Sequence, residues 1–239
     1  MGVRMLGFAY FRRALAMQNG SPLGWQRLAH RAIPLFALLW VGVAYAMTLQ
    51  TYIGASNDPS PQAQGVVGPL MDDSGEFVVA WHTWGVAHPP GYPLLNLTAN
   101  ILTRLLRAFR FNAVTSASLV SYIFGLLSLV ALAWPLWRRK QGPLGAAAAI
   151  LLPALGGLVW LYSSVAEVYA FALFLGFGVL GVAIKLGEQP SRKGALGLGF
   201  LVGLAFGHHR TLALLLPSLL VAAWPARRLG WKVWASALG

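Results

Sequence analysis

Ile33-Pro34-Leu35-Phe36-Ala37-Leu38-Leu39-Trp40-Val41-Gly42-Val43-Ala44-Tyr45-Ala46-Met47 begins an apolar block that continues to about Ile53 without one charged side chain. Wound as a helix, a block of that length crosses the hydrocarbon of a bilayer. It reads as a first membrane span. Arg4, Arg12, Arg13, Arg27 and Arg31 precede it with no acid among them. Ala44-Tyr45-Ala46 resembles a signal-peptidase site, but the basic segment before it is long and the apolar run continues past it, which favours an uncleaved signal anchor.

The composition agrees with this reading. The chain is 57% hydrophobic and 10% charged, with a mean hydropathy of +0.64, far too apolar for a soluble domain of 239 residues. It is an integral membrane protein. The net charge of +12 sits in short clusters between apolar blocks, not along one polar face, so it marks topology and not nucleic-acid binding. The absence of cysteine excludes disulfides, thiolate metal sites and a thiol nucleophile.

Further apolar blocks lie at about 113–137, ending in Arg138-Arg139-Lys140, at 143–162, followed by a tight turn at Ser163-Ser164, and at 165–186. Two shorter runs, 195–207 and 211–225, flank His208-His209-Arg210. The expected fold is all-α and polytopic, with six transmembrane helices. Fourteen of the 18 basic residues then share the side of the amino terminus, which makes that side cytoplasmic. Residues 1–32 become a cytoplasmic basic N-terminus, 33–226 a transmembrane core whose first external loop is 54–112, and 227–239 a cytoplasmic basic tail. On that assignment five of the six acids (Asp58, Asp72, Asp73, Glu76, Glu167) face outward with His82, His88, His208, His209 and Arg210.

The long loop carries most of the chemistry. Asp72-Asp73-Ser74-Gly75-Glu76-Phe77 is followed by Trp81-His82 and by His88-Pro89-Pro90-Gly91-Tyr92-Pro93. Asp73 and Glu76 are three apart, so one helical turn puts both carboxylates on one face, where each opposes ionisation of the other and one can act as a general base. Capping of a helix start by Asp72 or Asp73, with Glu76 completing a capping box, is the plainer reading. Leu94, Leu97, Ile101, Leu102, Leu105, Leu106 and Phe109 recur at helical spacing, with Asn96, Asn100, Thr103, Arg104, Arg107 and Arg110 on the other side. That pattern predicts an interfacial amphipathic helix whose arginines meet lipid phosphates or the phosphate of a lipid-linked substrate.

Glu167, in Ser163-Ser164-Val165-Ala166-Glu167-Val168-Tyr169, starts a span where a carboxylate is tolerable near headgroups and favourable at a positive helix end. Tyr162 and Tyr169 also suit an aromatic belt. His208-His209-Arg210 lies where two short runs meet and suits substrate or phosphate binding better than metal ligation, since adjacent histidines diverge on a helix. Gly176-Phe177-Gly178-Val179-Leu180-Gly181 matches a dinucleotide-binding expression but lies inside a span with no preceding strand. Ala195, Gly199, Gly203 and Gly207 form a small-residue stripe for helix packing. Asn96-Leu97-Thr98 is a formal glycosylation acceptor.

Asp73-Ser74-Gly75-Glu76-Phe77, followed by Ala87-His88-Pro89-Pro90-Gly91-Tyr92-Pro93, Val165-Ala166-Glu167-Val168-Tyr169-Ala170 and Gly207-His208-His209-Arg210-Thr211-Leu212, resembles the N-terminal part of the protein O-mannosyltransferase-like membrane family, of the GT-C glycosyltransferase superfamily. The resemblance covers about residues 33–226. It implies that Asp73 stands at the catalytic aspartate, while Ser74 replaces an adjacent glutamate, a departure that leaves open whether Glu76 supplies the second carboxylate. It also implies a polyprenyl- or dolichyl-phosphate-linked sugar donor, an acceptor hydroxyl on a protein or glycan, and transfer on the extracytoplasmic face of a bacterial inner membrane or its equivalent. No cofactor is implied, and a divalent metal is left open. Asp73 and Glu76 are then the expected catalytic pair. Asp72, His88, Tyr92, Glu167, Tyr169, His208, His209 and Arg210 are the expected substrate contacts. Relatives generally continue with more spans, so a fragment or a shortened member is expected. Two other classes use the same polar face: a transporter with a proton or cation path, and a lipid-linked-sugar carrier without transfer chemistry.

Overall fold

The computed structural model describes residues 24–51, 72–138 and 142–238. Among them every regular element is helical. Asp58 and most of the first half of the external loop lie outside the described residues.

Helix α1 (Gly24–Met47) buries Ala37, Val41 and Tyr45, one residue per turn, and leaves Leu35, Phe36, Leu39, Trp40 and Val43 exposed. A helix that turns only one narrow stripe inward while remaining apolar all round is built for lipid on its other faces. Helices α2 (Asp72–Thr83) and α3 (Pro93–Ala108) follow in the external segment, and α4 (Ala113–Arg138) returns through the bundle. Asn112 starts α4: its Oδ1 accepts from the Thr115 N–H at 2.8 Å, the side-chain cap that a helix start needs.

Helix α4 packs on α7, α5, α6, α3, α1 and α2 and is the centre of the molecule. Its buried face is unusually hydroxyl-rich, with Thr115, Ser116, Ser118, Ser121 and Ser128 inside. Small residues let neighbouring backbones come close where lipid supplies no hydrophobic drive between helices. Gly125 is the extreme case, because a Cβ there would overlap the Ser163 side chain.

The expected third span is broken. Helix α5 (Pro143–Ala154) and α6 (Gly157–Ser164) bend by 75° at Leu155-Gly156. Pro153 donates no backbone hydrogen bond, and Gly156-Gly157 is a weak helix former, so the bend falls where continuation is least favourable. Helix α7 (Tyr169–Glu188) follows an unwound segment at 165–168, and α8 (Arg192–His208) follows a Ser191 cap whose Oγ accepts from Gly194 N–H at 3.1 Å. The last apolar run is wound as a 3-10 turn (Arg210–Leu215), α9 (Leu216–Ala223) and a second 3-10 turn (Trp224–Leu229), and α10 (Trp231–Leu238) closes the chain.

Among the described residues four helical stretches are long and apolar enough to cross a membrane: Leu28–Met47, Ala113–Arg138, Tyr169–Glu188 and Arg210–Leu229. The bent pair makes a fifth if taken as one span. The expectation of six differs at α8, whose 17 residues rise only about 25 Å. The small-residue stripe on α8 is used in part. Ala195 is buried and Gly199 abuts the Ala237 carbonyl of α10, while Gly203 and Gly207 face open space.

The amphipathic helix forms as α3, with its polarity redistributed. Leu97, Ile101 and Leu105 point outward, and the buried positions are Leu95, Ala99, Asn100 and Thr103. Asn100 and Thr103 were expected on the polar face. Thr103 turns inward because its Oγ1 donates to the Trp81 carbonyl of α2 at 3.0 Å; Asn100 is buried beside it, its Oδ1 accepting from Arg104 Nε of the same helix at 2.9 Å. The outward leucines then suit a lipid surface, which accepts apolar side chains without cost.

Gly125→Ala is expected to destabilise the bundle by about 1–3 kcal/mol through overpacking, read as a lower midpoint in SDS-titrated unfolding. Pairing it with Ser163→Gly should recover most of the loss.

Candidate functional site

Helix α2 presents two faces. Ser74, Phe77, Ala80 and Trp81 are buried, while Asp73 is exposed and Glu76 partly so. Trp81 anchors the helix: Nε1 donates to Asn96 Oδ1 at 3.0 Å, and Asn96 Nδ2 donates to the Gly91 carbonyl at 2.7 Å. Asn96 therefore clamps α2, α3 and the intervening turn together. Its amide is committed to that structural task.

The turn between α2 and α3 is strained at several points. Trp84 has φ 58 and Tyr92 φ 43, the latter just after Gly91 at φ 84. Left-handed backbone at a bulky residue persists only where its surroundings enforce it. Rings surround Tyr92: Phe77 at 5.9 Å, His88 at 5.7 Å, His208 at 5.5 Å and His209 at 6.4 Å between centroids. Tyr169 extends the chain, 5.5 Å from His209 and 4.3 Å from Tyr162.

Glu76 grips His88. One carboxylate oxygen accepts the His88 backbone N–H, and the other meets Nδ1 at 2.8 Å. The hydrogen bond to His88 draws the Glu76 carboxyl below its usual range despite some desolvation, and the same bond raises the imidazole. Mutual opposition of Asp73 and Glu76 was expected to govern this pair. The histidine overrides it for Glu76, because a bonded cation at contact outweighs a carboxylate at greater distance.

Glu167 is buried in the unwound segment between α6 and α7. Ser121 of α4 donates its hydroxyl to the Glu167 carbonyl at 3.1 Å and accepts the Glu167 N–H at 3.0 Å. The side chain accepts from Val168 N–H at 3.2 Å. Burial pushes its carboxyl up to about 7, reinforced by the charge of Asp73 and opposed by that bond and by His88. Asp73, His88 and Glu167 therefore share one electrostatic environment.

His208 is buried, with Nε2 3.3 Å from the Val168 carbonyl. A carbonyl only accepts, so Nε2 carries the proton and Nδ1 is bare. Burial holds this imidazole down at about 4. It is neutral across physiological pH. His209 is lowered as well, by burial and by the Arg210 charge, and its Nδ1 lies 2.7 Å from Thr211 Oγ1. Burial raises the Tyr92 phenol, with Tyr169, Glu167 and Asp73 adding to the effect and Arg210 working against it. The exposed Arg210 thus faces the same cluster.

Of the residues expected at the site, Asp73, Glu76, His88, Tyr92, Glu167, Tyr169, His208, His209 and Arg210 are brought together at one end of the bundle. Asp72 is described only as the first residue of α2. Phe77, Trp81, Asn96 and Ser121 were not anticipated. The hydroxyl run at 115–121 inside an apolar block was a readable signal for the last. One ligand atom from each of Asp73, Glu76 and His88 falls within 4.8 Å of the others, close enough to converge on a divalent cation. Among the described residues His208 and His209 join no such set.

Residues 73–228 match the family described as the Protein O-mannosyl-transferase TMEM260 N-terminal domain. The chain belongs to this family. The mouse Protein O-mannosyl-transferase TMEM260 is 32% identical over 149 residues, which is 59% of this chain and 20% of the mouse protein. The Dictyostelium discoideum Protein O-mannosyl-transferase tmem260 is 28% identical over 126 residues, 49% of this chain and 15% of that protein. The aligned part is thus about a fifth of these relatives' length or less. No solved structure matches the chain. The matched region contains every described site residue from Asp73 to Arg210.

Two titrations probe the geometry. The Glu76–His88 pair contributes fully only above the ordinary carboxylate value of 4.5 and below the ordinary imidazole value of 6.5. Its contribution is lost on the acid side through the lowered Glu76 value and on the alkaline side through the raised His88 value. Glu76→Gln should bring the His88 titration down, observable by NMR of labelled histidine. Glu167 carries the opposite sign for an acid: stability falls from about pH 4.5 to about 7 and is level above. Glu167→Gln should therefore gain about 1–3 kcal/mol on the parent between pH 5 and 8, and parallel melting curves at the two pH values would contradict that placement.

Proposed function

We propose that this chain carries the sugar-transfer site of a membrane O-mannosyltransferase, moving a hexose from a polyprenyl-phosphate donor to an acceptor hydroxyl. The observation that carries the reading is convergence. A carboxylate from α2, the rings and Glu167 from separate segments, and Arg210 from the α8 exit meet at one end of a bundle of apolar helices, within the region that matches the family.

The chemistry follows from these groups. An acceptor oxygen attacks the anomeric carbon as its proton passes to Asp73, the bond from that carbon to the phosphate oxygen breaks, and the polyprenyl phosphate leaves with the electron pair. Arg210 holds the departing phosphate through charge-assisted hydrogen bonds. His208, being neutral with its N–H committed to Val168, positions the segment at 165–168, and the phosphate contact passes to Arg210 and His209. Glu76, engaged with His88, holds the turn beside Asp73, while Glu167 and Tyr169 face the sugar. The side of the membrane that bears this end is extracytoplasmic by the distribution of basic residues, and GT-C architecture fits a lipid-linked donor used by helices alone. Where the whole protein has further spans, they complete the donor path.

The test is transfer of radiolabelled mannose from polyprenyl-phosphate-mannose, in membranes with equal amounts of the parent and of Asp73→Asn. Loss of transfer by about 10²–10⁴-fold with donor binding kept is expected for a general base. Undiminished transfer by Asp73→Asn would remove the base role, and donor binding without transfer by the parent would favour the carrier reading.

A further inference from the structure

Helices α4 and α7 both run away from the end that bears the acidic site. Near their starts they are locked by rings, Phe124 lying 4.6 Å from Phe171 and 5.5 Å from Phe174. Further along, a groove of about 570 Å³ is lined by both. It has no counterpart in the transfer chemistry.

The groove is hollowed by small residues. A Cβ at Gly178 would meet nothing within 4 Å, and one at Gly181 would make only ordinary contacts with Pro135 and the Ala131 carbonyl. Gly178 is not needed for close helix packing; what its missing side chain leaves is room. Trp134 and Phe177 form apolar walls. The mouth is different in character: Arg138 ends α4, and Lys185 and Glu188 occupy the last turn of α7. The Arg138 guanidinium sits 5.7 Å over the Trp134 ring, which orients it at the groove's rim. Among the described residues at the mouth, two cations stand against one carboxylate.

We propose that this groove binds an anionic phospholipid of the bilayer, one acyl chain lying between α4 and α7 and the phosphate held by Arg138 and Lys185. The dimensions are those of a ligand cavity, and the walls offer an alkyl chain dispersion contacts without a polar group to desolvate. Because both helices are membrane spans, their charged ends lie at headgroup depth, where a phosphodiester is already present and clustered Lys and Arg attract it. The inference depends on the chain being embedded in a membrane and is independent of which sugar or acceptor the opposite end uses.

The test is native mass spectrometry of the full chain released from micelles, offered phosphatidylglycerol, phosphatidylcholine of the same acyl chains, or polyprenyl monophosphate. The parent should retain phosphatidylglycerol over phosphatidylcholine by about tenfold or more, given two headgroup-level cations. Gly178→Leu fills open space and should fold with unchanged helical circular dichroism yet lose the adduct. Arg138→Gln with Lys185→Gln should bring the two phospholipids to parity. The proposal is overturned by equal retention of both lipids in the parent, by an undiminished adduct in folded Gly178→Leu, or by preference for polyprenyl monophosphate, which would make the groove a donor path. It is equally overturned if Gly178→Leu lowers stability while leaving the adducts unchanged, since a protein segment would then fill the groove.

Discussion

Residues 165–168 leave the helix inside the packed bundle, and a buried backbone without helical partners must find others. All four are nearly inaccessible. Ser121 of α4 takes both the N–H and the carbonyl of Glu167, and His208 of α8 meets the Val168 carbonyl. Just before the break, the Ser164 carbonyl accepts from the Gln50 N–H at 2.8 Å. These bonds pin α4, α8 and the exit of α1 to one short segment. Losing any of them would leave a polar group unpaired in a place that water does not reach, at about 1–3 kcal/mol.

The same constraint explains where the carboxylate goes. An unwound segment can point a side chain along directions that a continuous helix denies it, and Glu167 is aimed toward the electrostatic reach of Asp73 and His88. Across from it the α2–α3 turn is held by a different set of bonds, Trp81 to Asn96 to Gly91 and Glu76 to His88. Tyr92 is where the two halves meet. Its ring touches both the turn's histidine and the α8 pair, so the strained backbone beneath it is kept by contacts from both sides.

Much of this was legible because bilayer physics is legible. Apolar runs at 33–53, 113–137 and 165–186 each yielded a spanning helix, with boundaries displaced by a few residues, since hydropathy measures lipid contact and not helix winding. The count was harder. Pro153 and Gly156-Gly157 divide a run that composition alone treats as continuous, and α8, at 17 residues, is shorter than the four stretches long and apolar enough to cross a membrane. The polar motifs were found because acids and histidines are scarce in this chain. Their partners were not found: spacing placed Glu76 against Asp73, whereas the fold brings His88 back across 12 positions to take its charge. The bonds that Ser121 and Asn96 make were not legible either, since a polar group that satisfies a backbone elsewhere in the fold leaves no periodic trace of its partner.

The two ends of the bundle follow opposite electrostatic rules. At the end with Asp73 and Glu167, charges of both signs meet beside rings; the hydrogen bond between Glu76 and His88 shifts that pair, and burial shifts Glu167. At the other end Arg138 and Lys185 are exposed beside an apolar groove. Between them α4 and α7 are tied by Phe124, Phe171 and Phe174. The hydroxyl-rich first half of α4 includes Ser121, which bonds the backbone of Glu167, and its second half buries Leu129 and Ala133 against α1 and α5. The inward residues of α4 thus change from threonine and serines to leucine and alanine along its length.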